Sequence, residues 1–358
     1  MSSSNSGRII SLDALRGLDM LLLIGLGSVF WNLGALHSGT EWGRTMQLQM
    51  GHATWQGLHV YDLVFPLFVY LAGVAQNFSL RKRLSLQHSR LRLLGHMWYR
   101  AVVLVLLGWI VNGPLVWNPQ SMRYASVLGL IGLSGALCGS LALLLRRSAA
   151  LGTAAILILG GIAAAQYWGG DFTPTGCVNA RLDALLCPGK LYNVHYDPEG
   201  PLCILSATAL SLLGYLSGRL FSNSLGSGKR LLALIIGGAI VLAGGLCGPV
   251  IKNIWSPCFV LAAAGIGAIL LGIFHLLCDV LPHHAWCYPL QVVGSNALFI
   301  YIFTNLVNLS AITERLFAGT LRLILPQAWM GVALSSAYLL LAWLLCFFLY
   351  RRRVFIKI

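Results

Sequence analysis

Between His52 and Asn77 the chain reads HATWQGLHVYDLVFPLFVYLAGVAQN. A polar, aromatic cluster holding His52, Trp55, His59 and Asp62 runs directly into an apolar segment long enough to enter a bilayer. A histidine and a carboxylate are costly to keep at the lip of a transmembrane helix, and such residues mark functional sites. The chemistry they fit is proton transfer. A neutral imidazole takes a proton from an amine or a hydroxyl, while a carboxylate fixes its tautomer and stabilises the imidazolium. His52 and Asp62, ten residues apart across a Gly-containing turn, are the candidate catalytic pair. The competing reading is an interfacial histidine beside Trp55 in an aromatic belt. His59 reads as interfacial packing, and His37 is the alternative base.

Four other constellations stand out. YDPEG, Tyr196–Gly200, places Asp197 and Glu199 in a tight turn just before an apolar run. Carboxylates there favour a helix N-terminus, or they recognise a sugar or amine acceptor. SLDALRGLD at 11–19 spaces Asp13 and Arg16 three apart, on one helix face, as a structural ion pair. The basic stretch 81–98 carries Arg81, Arg83 and Arg90, which suit topology and anionic lipid or the phosphates of a nucleotide donor. GSNALFIYIFTN at 294–305 sets Asn296 and Tyr301 inside an apolar run, facing another helix or a cavity.

The elements that must position these residues are membrane helices. Of 358 residues, 58% are hydrophobic and 9% charged, against about 25% charged in soluble domains. A water-soluble fold is excluded. The expected fold is an all-α integral membrane protein with about ten transmembrane helices and a small external cap. The apolar spans fall near 17–36, 60–80, 99–117, 125–145, 149–168, 201–221, 230–248, 256–278, 289–309 and 329–350. The first reads as an uncleaved anchor.

The net charge of +14 follows from topology rather than from nucleic-acid binding. With both termini in the cytoplasm, 17 basic residues, from Arg8 to Lys357, lie inside. Seven (Arg44, Arg123, Arg181, Lys190, Lys252, Arg315, Arg322) lie outside, together making the 24 of the chain. The external segments are then 37–59, 169–200 and an amphipathic piece at 310–328. The whole, 1–358, reads as a single polytopic domain with 169–200 as its long external loop. Cys177 and Cys187 share that loop, where an oxidising compartment would favour a disulfide. No Cys/His spacing has the form of a zinc site, and no metal is expected.

SLDALRGLD, HATWQGLHVYDLVFPLFVYLAGV, YDPEG, KNIWSPCFVLAAAG at 252–265 and GSNALFIYI at 294–302 occur together and in order. In this the chain resembles the heparan-alpha-glucosaminide N-acetyltransferase family and its bacterial relatives, over most of its length. The resemblance implies a multi-pass enzyme of the bacterial inner membrane. It would move an acetyl group from cytosolic acetyl-CoA to the amine of a terminal glucosamine or related amino sugar on the periplasmic side. His52 falls on the family's essential histidine, Asp62 on the aspartate of D-L-V-F-P, and Asp197 and Glu199 on its DPEG. Trp55, Asn296 and Tyr301 become candidate substrate contacts, and Arg81, Arg83 and Arg90 candidate contacts to the donor phosphates. A homodimer is the family expectation. One departure is VLGLIG at 127–132, where Gly129 and Leu130 replace a polar pair of many relatives. Two alternatives keep the architecture: a transporter or flippase of a small polar or glycan solute, and a membrane O-acetyltransferase.

Overall fold

The computed structural model describes residues 9–113, 118, 120–222, 225–281 and 285–356. Arg8, Lys357 and the expected end of the third span, 114–117, lie outside the described residues. Among the described residues fifteen α-helices follow one another: α1 Ile10–Leu21, α2 Gly27–Leu36, α3 Glu41–Gln49, α4 Val64–Ser85, α5 Arg90–Asn112, α6 Val127–Leu144, α7 Ser148–Trp168, α8 Val178–Leu186, α9 Pro201–Ser222, α10 Ser227–Gly245, α11 Pro257–Phe274, α12 Tyr288–Gly294, α13 Ala297–Leu306, α14 Leu309–Ile324 and α15 Met330–Arg351. The described residues contain no sheet, only isolated bridges such as Gln56 to Ile251 and Arg123 to Gly189.

Nine of the helical stretches among the described residues are long and apolar enough to cross a membrane. They become ten if α12 and α13, bent by 57° at their junction, form one span. The protein is therefore an all-α, multi-pass membrane protein. Two differences from the expected spans have local causes. The third span begins at Arg90 rather than at 99, because Ser89 caps it by accepting from the Arg92 N–H at 3.3 Å. Long arginine stems then let the helix continue beyond the apolar layer, so the basic stretch 81–98 is mostly helix and its turn is only 86–89. The ninth span is broken at Ser295–Asn296. There the Asn296 side chain donates to Val354 O at 3.0 Å and accepts from Ile356 N at 3.0 Å, tying the break to the chain beyond α15.

The helices group into two compact units. The described residues of the first come from Met1–His52, His59–Val64 and Leu270–Lys357. Within it α1 packs on α12 at backbone distance. A Cβ on Gly17 would collide with the Leu290 carbonyl, and one on Gly294 with the Asp13 carbonyl. That close approach explains both the glycine of SLDALRGLD and the glycine opening GSNALFIYI. The Asp13–Arg16 pair forms at 3.7 Å. The second unit holds Ala53–Leu58 and Phe65–Ile269. Here α4 and α9 meet the same way, with Gly73 against the Ser211 carbonyl and Gly214 against the Tyr70 carbonyl. Small residues at such crossings replace the hydrophobic effect as the source of helix association in lipid.

The bridge between Cys177 and Cys187 does not form; both are free thiols. The nine-residue α8 lies between them, with Cys177 at its N-cap and Cys187 at its C-cap. At 1.5 Å per residue their Cα atoms are about 15 Å apart, whereas a disulfide needs them within about 7 Å.

Candidate active site

The His52–Asp62 pair forms, and the loops around it are laced to hold it. After α3 the chain turns at Met50–Gly51. Gln49 Oε1 accepts from the Val60 N–H at 3.1 Å, and His59 Nδ1 donates to the Gly51 carbonyl at 3.0 Å. These two bonds fix the end of α3 against the 3-10 turn Val60–Leu63 that opens the second span. Asp62 sits in that turn with no exposed surface. Its Oδ2 accepts from the His59 N–H at 3.1 Å, and its Oδ1 lies 2.8 Å from His52 Nδ1. The His52 side chain is 54% exposed, so one partner is fixed and dry while the other reaches solvent. The Tyr61 ring lies 5.0 Å from the imidazole, centroid to centroid. Pro66 falls in the first turn of α4, where a missing N–H costs nothing. The local sequence DLVFP is thus a turn-and-start signal that also buries a carboxylate.

This geometry sets the tautomer. An ionised carboxylate is an acceptor only, so Nδ1 carries the proton it donates to Asp62 and the basic lone pair resides on Nε2. A histidine oriented in this way acts as a general base whose imidazolium is stabilised by the buried charge.

In the second unit, Trp55 anchors a loop. Its indole N–H donates to Phe172 O at 2.5 Å, and its ring meets Tyr196 edge-on at 5.3 Å. It packs on a small core of Cys177, Ala180, Tyr196, Ile251 and Ile254. The Gly57 N–H donates to Val250 O at 2.9 Å, at a φ of +132° that only glycine adopts readily.

Asp197 and Glu199 converge on one cation, Arg123. The guanidinium grips Asp197 through Nε at 2.8 Å and Nη2 at 2.6 Å, and Nη2 also donates to Glu199 Oε2. Asp197 further accepts from the backbone N–H groups of Tyr192 at 2.9 Å and Glu199 at 3.0 Å. A third carboxylate, Asp183 on α8, accepts from the Asp197 N–H at 2.9 Å. Asp183 is buried, and a Cβ on Gly200 would collide with its Oδ1, which is why the turn ends in glycine.

Two buried acids thus share one cation, a third accepts from the Asp197 backbone, and the proton affinities of the three diverge. Burial would raise Asp197, yet the hydrogen bonds and charge of Arg123 hold it below the ordinary carboxylate range. Burial pushes Glu199 up to about 8, with Arg123 opposing and Asp197 reinforcing. Burial likewise pushes Asp183 up to about 6. Burial works against the Arg123 cation, but its two acidic partners raise its proton affinity overall.

The remaining candidates are dispersed. Arg81 donates to Ser222 O at 3.1 Å and Arg90 to Leu143 O at 3.2 Å, so each caps the carbonyl end of another helix. Arg83 lies on α4 beside them in sequence. Tyr301 is half-buried on α13, and its neighbours Thr304 and Asn305 bond to carbonyls of their own helix at 2.9 and 2.8 Å. Asn296 is not brought to His52. It lies where α15 ends, and the start of α15 lies at Asn32, against which Gly331 packs. That helix is about 33 Å long, and His52 follows α3, which packs on α2 at Gly34 and Gly43.

Three features escaped the sequence reading. Arg123 carries no local signal, being a lone arginine 74 residues from Asp197. Asp183 lies in the stretch read as the long external loop, 14 residues before Asp197, with no local signal that joins the two. At the start of α1, Ser11 donates through Oγ to Asp279 at 2.6 Å, and the same carboxylate lies 2.9 Å from His275 Nδ1. Among the described residues no group of three or more His, Cys, Asp or Glu side chains is placed to hold a metal ion.

The sequence model of the family described as heparan-alpha-glucosaminide N-acetyltransferase, catalytic, matches residues 8–241. A human protein named heparan-alpha-glucosaminide N-acetyltransferase is 25% identical over 423 residues, covering 98% of this chain and 60% of its own length. A mouse protein of the same name is 33% identical over 137 residues, covering 37% of this chain and 18% of its own. The chain therefore spans less than two thirds of the length of these relatives. With the matched region taking in the His52–Asp62 pair and the DPEG turn, and extending over more than half of its length, the chain belongs to the heparan-alpha-glucosaminide N-acetyltransferase family.

Proposed function

We propose that this protein is a membrane acetyltransferase that moves an acetyl group from acetyl-CoA to the amine of a terminal glucosamine or related amino sugar, with His52 as general base. The observation that carries the reading is the half-exposed His52 imidazole held at 2.8 Å by the fully buried Asp62. The acceptor amine attacks the carbonyl carbon of the thioester. The C–N bond forms, the C–S bond breaks, and CoA leaves as a thiolate. His52 Nε2 takes the proton lost by the nitrogen and returns it to the sulfur. Positioned general bases contribute roughly 10²–10⁴ in rate.

Arg81, Arg83 and Arg90 supply cations for the nucleotide phosphates of the donor. Two of them also cap helices, which holds their guanidinium groups in place. The excess of basic residues in the segments read as inner supports a cytoplasmic donor and a periplasmic His52 in a bacterial inner membrane. Asp197 and Glu199 hold the shape of the cap that Arg123 closes.

The test is CoA release by detergent-purified protein given acetyl-CoA, with and without glucosamine. Release that requires the amino sugar supports the reading. Movement of a sugar across proteoliposomes without thioester consumption would replace it with transport. N-acetylglucosamine serving as well as glucosamine would replace it with O-acetylation, since that sugar has no free amine.

A further inference from the structure

The helix α14 has an unpartnered apolar stripe that neither catalysis nor packing uses. Leu309, Thr313 and Ala318 are buried along it, and it packs on α15. Ile312, Leu316 and Leu323, spaced four and seven apart, continue the face that begins at the buried Leu309, and they are 42%, 60% and 88% exposed. Arg315 and Arg322, seven apart and both exposed, flank that stripe, whereas Glu314 lies on the other side of the helix. The helix is 16 residues long, about 24 Å, and too short to span about 30 Å of hydrocarbon. It is tethered on both sides: α13 ends at Leu306 and the last span begins at Gln327. A short charged helix between two membrane segments cannot leave the bilayer face.

We propose that α14 is an interfacial anchor for anionic phospholipid, its Ile312–Leu316–Leu323 stripe lying among the acyl chains and Arg315 and Arg322 pairing with headgroup phosphates. The charge pattern selects this occupant. Cations beside an apolar stripe, with the one acid turned away, complement an anionic leaflet, and each arginine near such a surface is worth roughly fivefold in binding. The inference does not depend on the catalytic reading.

The test uses the full chain with the accessible Cys187, Cys247 and Cys258 replaced by Ser. Leu316→Cys and Glu314→Cys are each labelled with an environment-sensitive fluorophore. The protein is placed in nanodiscs of phosphatidylcholine alone or of phosphatidylglycerol-rich lipid carrying acyl-chain nitroxides. The expected result is a blue-shifted, nitroxide-quenched label at 316 and an unquenched label at 314. Quenching at 316 should be several-fold stronger with phosphatidylglycerol, and that gain should vanish in Arg315→Gln/Arg322→Gln. A water-exposed label at 316 in both lipids would overturn the proposal. So would equal quenching in both lipids, or efficient crosslinking between two Leu316→Cys copies, which would make the stripe a dimer contact.

Discussion

Asp62→Asn is the most diagnostic single change, because the structure dictates how the new amide must lie. Asp62 Oδ2 accepts the His59 N–H at 3.1 Å, and Oδ1 faces His52 Nδ1 at 2.8 Å. An asparagine there keeps its carbonyl oxygen on the His59 N–H, since its NH₂ cannot accept that bond. The NH₂ group then points at His52 Nδ1, which must become the acceptor. The imidazole proton is forced onto Nε2, and the basic lone pair turns away from the acceptor. In a serine protease the equivalent exchange costs about four decades of kcat with the geometry intact. We expect a loss of two to four decades here, about 3–5 kcal/mol of transition-state stabilisation. The residues, backbone bonds and volume are otherwise conserved, so folding should survive. The assay is single-turnover CoA release at saturating acetyl-CoA and glucosamine, with the elution profile and thermal midpoint of the purified variant as folding controls. A folded Asp62→Asn variant that keeps more than a tenth of wild-type kcat would refute the tautomer argument and return His52 to the role of an interfacial side chain.

Three further outcomes follow from the geometry. Arg123→Leu leaves Asp197 and Glu199 buried without their cation, which should destabilise the cap by about 3–5 kcal/mol; faster proteolysis within 169–200 at neutral pH checks it, and wild-type resistance contradicts it. Asp183 has a folded value raised from 3.8 to about 6. Such a group stabilises the fold below pH 4 and loses that contribution as pH rises through 6, by about 3 kcal/mol. Asp183→Asn should therefore flatten the fall in thermal midpoint between pH 4 and pH 7, and an unchanged slope would argue against an ionising Asp183. Arg83→Gln, which removes an arginine proposed for the donor phosphates without touching a helix cap, should raise the apparent KM for acetyl-CoA about tenfold, the value of one charge-assisted hydrogen bond, with kcat retained. An unchanged KM would remove Arg83 from the donor site.

The membrane fold is legible in the sequence because bilayer helices must satisfy their backbone internally and cover themselves with apolar side chains. That constraint writes nine of the spans in plain hydropathy. It fails where the backbone breaks: nothing in GSNALFIYI says that Asn296 bonds to residues 58 and 60 positions away. It also fails at the third span, where Arg90 and Arg92 look like a loop but extend a helix. The His52–Asp62 pair is legible because both residues flank one turn and stand out against an apolar background. The partner of the DPEG turn is not, because Arg123 and Asp183 are brought to it by tertiary packing alone. The same packing decides against a disulfide: cysteine spacing in a loop suggested one, and the short helix α8 holds the two thiols apart.

The central claim is that His52 is the base of an acetyl transfer. Its most direct test compares wild type with His52→Ala and His52→Gln for glucosamine-dependent CoA release across pH. We predict glucosamine-dependent release by the wild type and none above background in either folded variant. Wild-type rates in His52→Ala would contradict it.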